Sequence, residues 1–235
     1  MMYEALAPYY DALVKDDEAT KAWVDVIKAH IPCGTVLELA CGSGEITIAL
    51  AKQGYTMHAS DLSAQMIEAA KAKEGSEQVD WFVMDMCDFH VEKRYEGILC
   101  LCDSMNYILK KEQIKNLFKN VWEHLLPGGC FIMDMHSLDR LSEFREEYNE
   151  AGHIAGGVDV QWTILSEEDR IYQNFAFYHS DGTVALEQHI QRVYDPQWIL
   201  ECLQQQGFQV EVLTDFTTPG IAAGEKQFYI CRREQ

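Results

Sequence analysis

The sequence predicts a doubly wound α/β fold that carries an antiparallel β insertion after its fifth strand. Three observations predict it. Apolar strand-like runs alternate with helical patterns from residue 35 to residue 135, a glycine turn follows the first run, and the alternation gives way to a meander over residues 158–194. At 235 residues the chain can bury a core without disulfides or a structural metal.

Residues 3–14 and 17–30 read as two N-terminal helices, the second with Trp23, Val26 and Ile27 at helical spacing and a stop at Pro32 and Gly34. Strand 35–40 runs into the turn, and helix 45–53 offers Ile46, Ile48, Ala49 and Leu50 for burial. Strand 55–60, helix 63–73 with Ser63 as its N-cap, and strand 79–84 repeat the pattern. Strand 97–102 is almost continuously apolar, as suits a parallel sheet covered on both faces. Helix 110–125, a turn at Pro127, Gly128 and Gly129, and strand 130–135 complete five strands joined by right-handed crossovers.

Residues 138–148 read as a helix, followed by strands 158–165, 170–178 and 184–194 as an inserted meander. Helix 196–206 and strands 207–215 and 225–232 close the chain. No repeat or linker interrupts it, so one domain over 1–235 is expected, with lid helices in 1–30 and a substrate cover in 151–195.

Composition narrows the function. A formal net charge of -19 would repel a polyphosphate backbone, so nucleic acid is a disfavoured partner. No apolar run approaches the ~20 residues of a membrane span. The first residues show no basic or apolar leader, so a cytoplasmic location is expected. The eight cysteines form no C-x-x-C pairs, which argues against a metal site. Cys100 and Cys102 should share one face of a strand as small buried thiols.

In a doubly wound sheet, ligands bind beyond the carboxyl ends of the strands. Three successive strand ends here carry suitable chemistry. Gly42 and Gly44 let backbone approach a ligand; Thr47 stands where a dinucleotide fingerprint needs its third glycine, which weakens a hydride-transfer reading. Asp61 closes the second strand, where an acid can accept both hydroxyls of a ribose or merely cap the next helix. Asp85, between Met84 and Met86, could meet the amino edge of a base.

The segments Leu37-Glu38-Leu39-Ala40-Cys41-Gly42-Ser43-Gly44, Ser60-Asp61-Leu62-Ser63-x-x-Met66 and Met84-Asp85-Met86 together resemble the cofactor motifs of class I S-adenosylmethionine-dependent methyltransferases. Ala40 departs from the family's usual first glycine. The resemblance implies a seven-stranded sheet of order 3-2-1-4-5-7-6 with the last strand antiparallel. It implies S-adenosylmethionine as cofactor, with Glu38, Ala40, Gly42 and Gly44 around its methionine part and Asp61 on the ribose. Leu62 and Met66 would flank the adenine, Asp85 and Met86 would meet its amino edge, the Cys102 carbonyl would hold the ammonium, and Tyr10 would close as a lid.

The fourth strand ends in Cys102-Asp103-Ser104-Met105-Asn106-Tyr107, without the Asn/Asp-Pro-Pro-aromatic tetrad of base-amino methylases. The insertion resembles the cover of small-molecule N-methyltransferases, such as glycine N-methyltransferase and amino-sugar enzymes. By that likeness Asp103, Tyr107, His136, Tyr172 and His189 lie near an amine or hydroxyl acceptor, with Asp103 or Tyr107 orienting it and His136 taking a proton. The enzyme is expected to act as a monomer or homodimer on a small-molecule acceptor. RNA or protein methylation, and non-catalytic cofactor binding, remain the alternatives.

Overall fold

In the computed structural model the described residues are 3–154 and 156–234; Met1, Met2, Ala155 and Gln235, which belong to the expected spans 1–30, 151–195 and 1–235, lie outside them. The expected helix over 3–14 is broken: Pro8 sits in a 3-10 turn at Ala7–Tyr9, and only α1 (Tyr10–Val14) is α-helical. Helix α2 (Asp17–His30) starts where Asp16 accepts the amides of Glu18 and Ala19.

The alternating segments form β1 (Thr35–Leu39), α3 (Glu45–Ala51), β2 (Thr56–Asp61), α4 (Ala64–Lys71), β3 (Val79–Val83), β4 (Tyr95–Cys100), α5 (Lys111–His124) and β5 (Leu125–His136). Ser63 caps α4 as expected, accepting the Met66 amide at 3.3 Å. The turn at Pro127, Gly128 and Gly129 is absorbed into β5 as an irregularity opposite Tyr95 and Gly97.

After β5 the expected helix over 138–148 shrinks to α6 (Asp139–Glu143), and a strand not anticipated, β6 (Tyr148–Ile154), follows. It pairs antiparallel with β7 (Val158–Glu167), which leads through β8 (Arg170–Tyr178) to β9 (Val184–Arg192). The insertion is thus a separate sheet of four strands among the described residues, one more than expected. Helix α7 (Pro196–Gln205), β10 (Phe208–Thr214), the two-residue β11 (Thr218–Pro219) and β12 (Lys226–Arg233) return the chain to the main sheet.

The main sheet runs β3-β2-β1-β4-β5-β12-β10-β11, with β12 antiparallel to both neighbours. The expected order is met by its first seven strands and corrected by β11, an eighth that adds two residues to the β10 edge. Side chains alternate between two cores. Leu37, Leu39, Ile98, Phe131 and Met133 pack toward α5 and α7, while Val36, Leu99, Ile132 and Ile230 pack with Trp23, Ile27 and Leu50 on the other face.

The insertion sheet builds its own apolar layer from Ile154, Val158, Val160, Phe175 and Phe177, and Leu6 of the N-terminal segment completes it. Tyr9 stacks on Phe177 with centroids 4.9 Å apart. The Glu187 carboxylate of β9 then clasps the segment by its backbone: the amides of Ala5 and Leu6 each donate to it at 2.8 Å, and the Tyr3 amide donates as well. Burial alone would raise the Glu187 carboxyl, but the His189 ring and the Leu6 and Tyr3 amides outweigh it and hold it below the usual glutamate range. A depressed carboxylate contributes fully above its unfolded pKa of about 4.3 and is lost as pH falls through its folded value. Glu187→Ala should therefore speed amide exchange at Ala5 and Leu6 at neutral pH, and wild type should show the same loosening only on acidification below about pH 4.3. Unchanged exchange in the variant would show that apolar packing alone holds the segment.

Candidate active site

Sheet order reverses between β1 and β4, and a cavity of 880 Å³ opens at the carboxyl ends of these strands. It is lined by Ala40 and Gly42 of the first turn, Asp61 and Leu62 after β2, Val83, Asp85 and Met86 after β3, and Cys102 and Asp103 after β4. Ala40 stands at φ 53° and Gly42 at φ 56°, both left-handed. That conformation explains why glycine suits position 40 and shows that alanine can occupy it. A Cβ on Gly42 would meet nothing nearer than the Tyr10 ring at 3.9 Å, so this side of the turn faces open space under the expected lid tyrosine. Gly44 is different: it does not line the cavity, and a Cβ there would lie 2.4 Å from Trp81. Its smallness serves packing of the turn against β3.

Asp61 orders two loops at once, accepting the Gly42 amide at 2.9 Å and the Ser63 amide at 2.8 Å. A carboxylate has about four lone-pair positions, so Asp61 keeps capacity to accept a further hydroxyl. Burial raises the Asp61 carboxyl despite the Ser63, Gly42 and Leu62 amides. Beside it Leu62 is 56% exposed and Val83 59% exposed, two apolar faces left open on the cavity. Met66, within α4, is fully buried and is not among the lining residues, whereas Val83 at the end of β3 is, and its apolar position at a strand end was the available signal. Glu38 lines the cavity from β1 with Thr47 donating to it, and burial pushes its carboxyl up to about 7.

Strand β4 ends at Cys100, and Cys102 and Asp103 both take left-handed backbone, at φ 55° and 52°. Alternation is lost there, so the expected shared face of Cys100 and Cys102 is not formed: Cys100 is buried, while Cys102 opens on the cavity. All eight cysteines are free thiols, and Cys33 is exposed as well.

The Asp103 carboxylate meets Lys226 Nζ at 2.5 Å, Gln191 Nε2 at 2.8 Å and His136 Nε2 at 3.4 Å. Lys226 also reaches the buried Asp134 at 3.2 Å, and Asp134 accepts the Asp103 amide at 3.1 Å. Burial would raise the Asp103 carboxyl, but Lys226 and His136 hold it below its ordinary range. Burial raises Asp134, and the two carboxylates raise Lys226 against its own burial.

A second group lines the cavity: Tyr107 Oη meets His189 Nδ1 at 2.9 Å and accepts from Tyr3 Oη at 2.9 Å, while His189 Nε2 meets Glu187 at 3.0 Å. Burial raises the Tyr107 and Tyr10 hydroxyls, which therefore stay protonated. Asp103, Tyr107, His136 and His189 thus all line the same cavity. Tyr172 does not join them, because its β8 neighbours Ile171, Gln173 and Phe175 face the cavity and alternation turns Tyr172 away. Lys226, Asp134, Gln191 and Glu187 were not anticipated. Asp134 was visible as an acid inside an apolar strand, and Glu187 and Gln191 share the strand face of His189.

A glycine cradle, a buried carboxylate with free lone pairs, two open apolar faces and a left-handed fourth-strand loop around one cavity define a class I S-adenosylmethionine-dependent methyltransferase. The profile of a family described as "Methyltransferase domain" matches residues 36–129. YqeM of Bacillus subtilis (strain 168), which bears the name of a methyltransferase, is 30% identical over 251 residues, covering 100% of this chain and 98% of that one. The chain belongs to this methyltransferase family and is an enzyme that uses S-adenosylmethionine. A crystal structure of an S-adenosylmethionine-dependent methyltransferase from Clostridium acetobutylicum ATCC 824 superposes with a TM-score of 0.84 at 26% identity, covering 99% of each chain. The dTDP-3-amino-3,6-dideoxy-alpha-D-glucopyranose N,N-dimethyltransferase of Streptomyces fradiae is 25% identical over 137 residues, 57% of this chain and 52% of that enzyme. No helix among the described residues is long and apolar enough to cross a membrane.

Gly44→Ala should destabilise by about 2–4 kcal/mol, from left-handed backbone and collision with Trp81, read as a lower urea midpoint. Glu38 gives a second expectation. Its raised carboxyl means that the folded state holds more protons than the unfolded chain between about pH 4.3 and its own value of about 7. Its contribution is full below that window and lost as pH rises through it. Glu38→Gln should flatten the decline in stability over this range by on the order of 3 kcal/mol, and an unchanged pH profile would refute a buried neutral Glu38.

Proposed function

We propose that the enzyme transfers a methyl group to an amine or hydroxyl of a small molecule, held between the strand ends and the inserted sheet. Enclosure carries this reading. One cavity of 880 Å³, within the range of small-molecule sites, is lined from Asp61 at one end to Phe175 of the insertion at the other. Residues 1–30 and 151–195 would act as lid and cover of a single unit over 1–235. The likeness to an amino-sugar N,N-dimethyltransferase supports an amine acceptor.

When bound, S-adenosylmethionine supplies an electrophilic methyl carbon on positively charged sulfur. The residues suit it: Asp61 would take the ribose hydroxyls on its remaining lone pairs, Leu62 and Val83 would flank the adenine, and Asp85 with the Met86 backbone would meet its amino edge. Glu38, Ala40, Gly42 and the Cys102 carbonyl would surround the methionine part, with Tyr10 above.

On the acceptor side Asp103, kept anionic by Lys226, and Tyr107, kept protonated, orient the nucleophile. His136 Nδ1 has no partner among the described residues, so it is free to take the proton that the acceptor loses on methylation. Tyr107 cannot act as this base while its hydroxyl stays protonated.

S-adenosylmethionine and S-adenosylhomocysteine should raise the melting temperature and NAD should not, since a ligand of the native state stabilises it. Asp61→Ala should weaken both sulfur ligands by about a hundredfold while circular dichroism stays native. A screen of amines and hydroxyls for S-adenosylhomocysteine release then tests the acceptor class, and turnover only on RNA or protein would sink the small-molecule reading.

A further inference from the structure

Among the described residues that line the cavity, the buried side-chain polar atoms left without a partner are His136 Nδ1, Arg140 Nε and Trp162 Nε1, all nitrogens and all on the acceptor side. A buried donor without a partner costs about 1–3 kcal/mol, and folded chains leave few of them. The proposed chemistry uses His136. Arg140 and Trp162 remain, and both can only donate.

The two adjoin the same apolar cluster of the lining. The Arg140 guanidinium lies 4.5 Å from the Phe144 ring centroid, Phe144 shares a cluster with Ile164 and Ile171, and Trp162 packs against that cluster. Trp162 also stacks on Phe175 at 5.3 Å, so the donors rim a flat apolar wall. Both carboxylate contacts of Arg140 run through Nη1, to Glu143 at 2.5 Å and Glu225 at 3.9 Å. The Nε edge of the guanidinium stays free, and that edge receives oxyanions through parallel N–H···O bonds.

We propose that the methyl acceptor is a ring-bearing molecule with an oxyanion, a carboxylate or a phosphate, docked on Arg140 Nε and Trp162 Nε1. Its ring lies on the wall formed by Phe144, Trp162 and Phe175, and its amine or hydroxyl faces Asp103 and His136. This rests on the reading that the chamber under the insertion holds the acceptor.

The test uses full-length protein saturated with S-adenosylhomocysteine and calorimetric titration with benzoate, phenyl phosphate and neutral benzamide. At least one anion should bind about tenfold more tightly than benzamide, and which anion is favoured separates carboxylate from phosphate. Arg140→Gln should erase the preference, and Trp162→Phe, which keeps the ring and removes the donor, should weaken the anion about fivefold. S-adenosylhomocysteine affinity should be equal in all three proteins, which also certifies their fold. Anions that bind no better than benzamide, or a preference that survives Arg140→Gln, overturn the inference alone. Wild type that fails to bind S-adenosylhomocysteine overturns the cofactor reading, and this inference with it.

Discussion

The ammonium of Lys226, buried between Asp103 and Asp134, is the interaction on which the site depends. It joins the start of β12 to the loop after β4 and to the end of β5, and Gln191 extends the connection to the inserted sheet. A buried ion pair adds little stability over an apolar trio of equal volume, yet removing one member strands a charge at about 3–5 kcal/mol. Its effect is positional. The loop after β4 carries two consecutive left-handed residues, Cys102 and Asp103, a conformation that costs about 1–3 kcal/mol per residue and persists only where the surroundings fix it. The Asp134 carboxylate on the Asp103 amide and Lys226 on the Asp103 side chain fix it here.

The two halves of the cavity differ in chemistry because different parts of the chain build them. Strand ends of the main sheet supply Glu38, Asp61 and Asp85 together with bare backbone at Gly42, a setting for a cationic, hydroxyl-rich cofactor. The inserted sheet and α6 supply aromatic and aliphatic walls with Arg140 at their rim. The first half comes mostly from residues 36–129, which the methyltransferase-domain profile matches, whereas the second comes from α6 and the insertion.

Much of this was legible in the sequence where local pattern and local structure coincide. The five alternating strands and the Ser63 cap follow from periodicity and turn chemistry. What escaped was non-local. Strand β6 exposes six of its seven residues, so it has no buried face to create an alternating signal and exists through pairing with β7. Strand β11 has two residues and no pattern at all. Cys100 and Cys102 look like strand neighbours until the chain turns left-handed between them and the cavity. The partnership of Lys226 with Asp103 spans more than half the chain, and nothing near either residue announces it.

Tyr3, Leu6 and Tyr10 of the N-terminal segment all line the cavity. The Glu187 carboxylate holds this segment in place through the backbone amides of Tyr3, Ala5 and Leu6. Glu187 also meets His189, which meets Tyr107 on the cavity lining, so the anchoring of the N-terminal segment and the wall of the chamber belong to one continuous chain of hydrogen bonds.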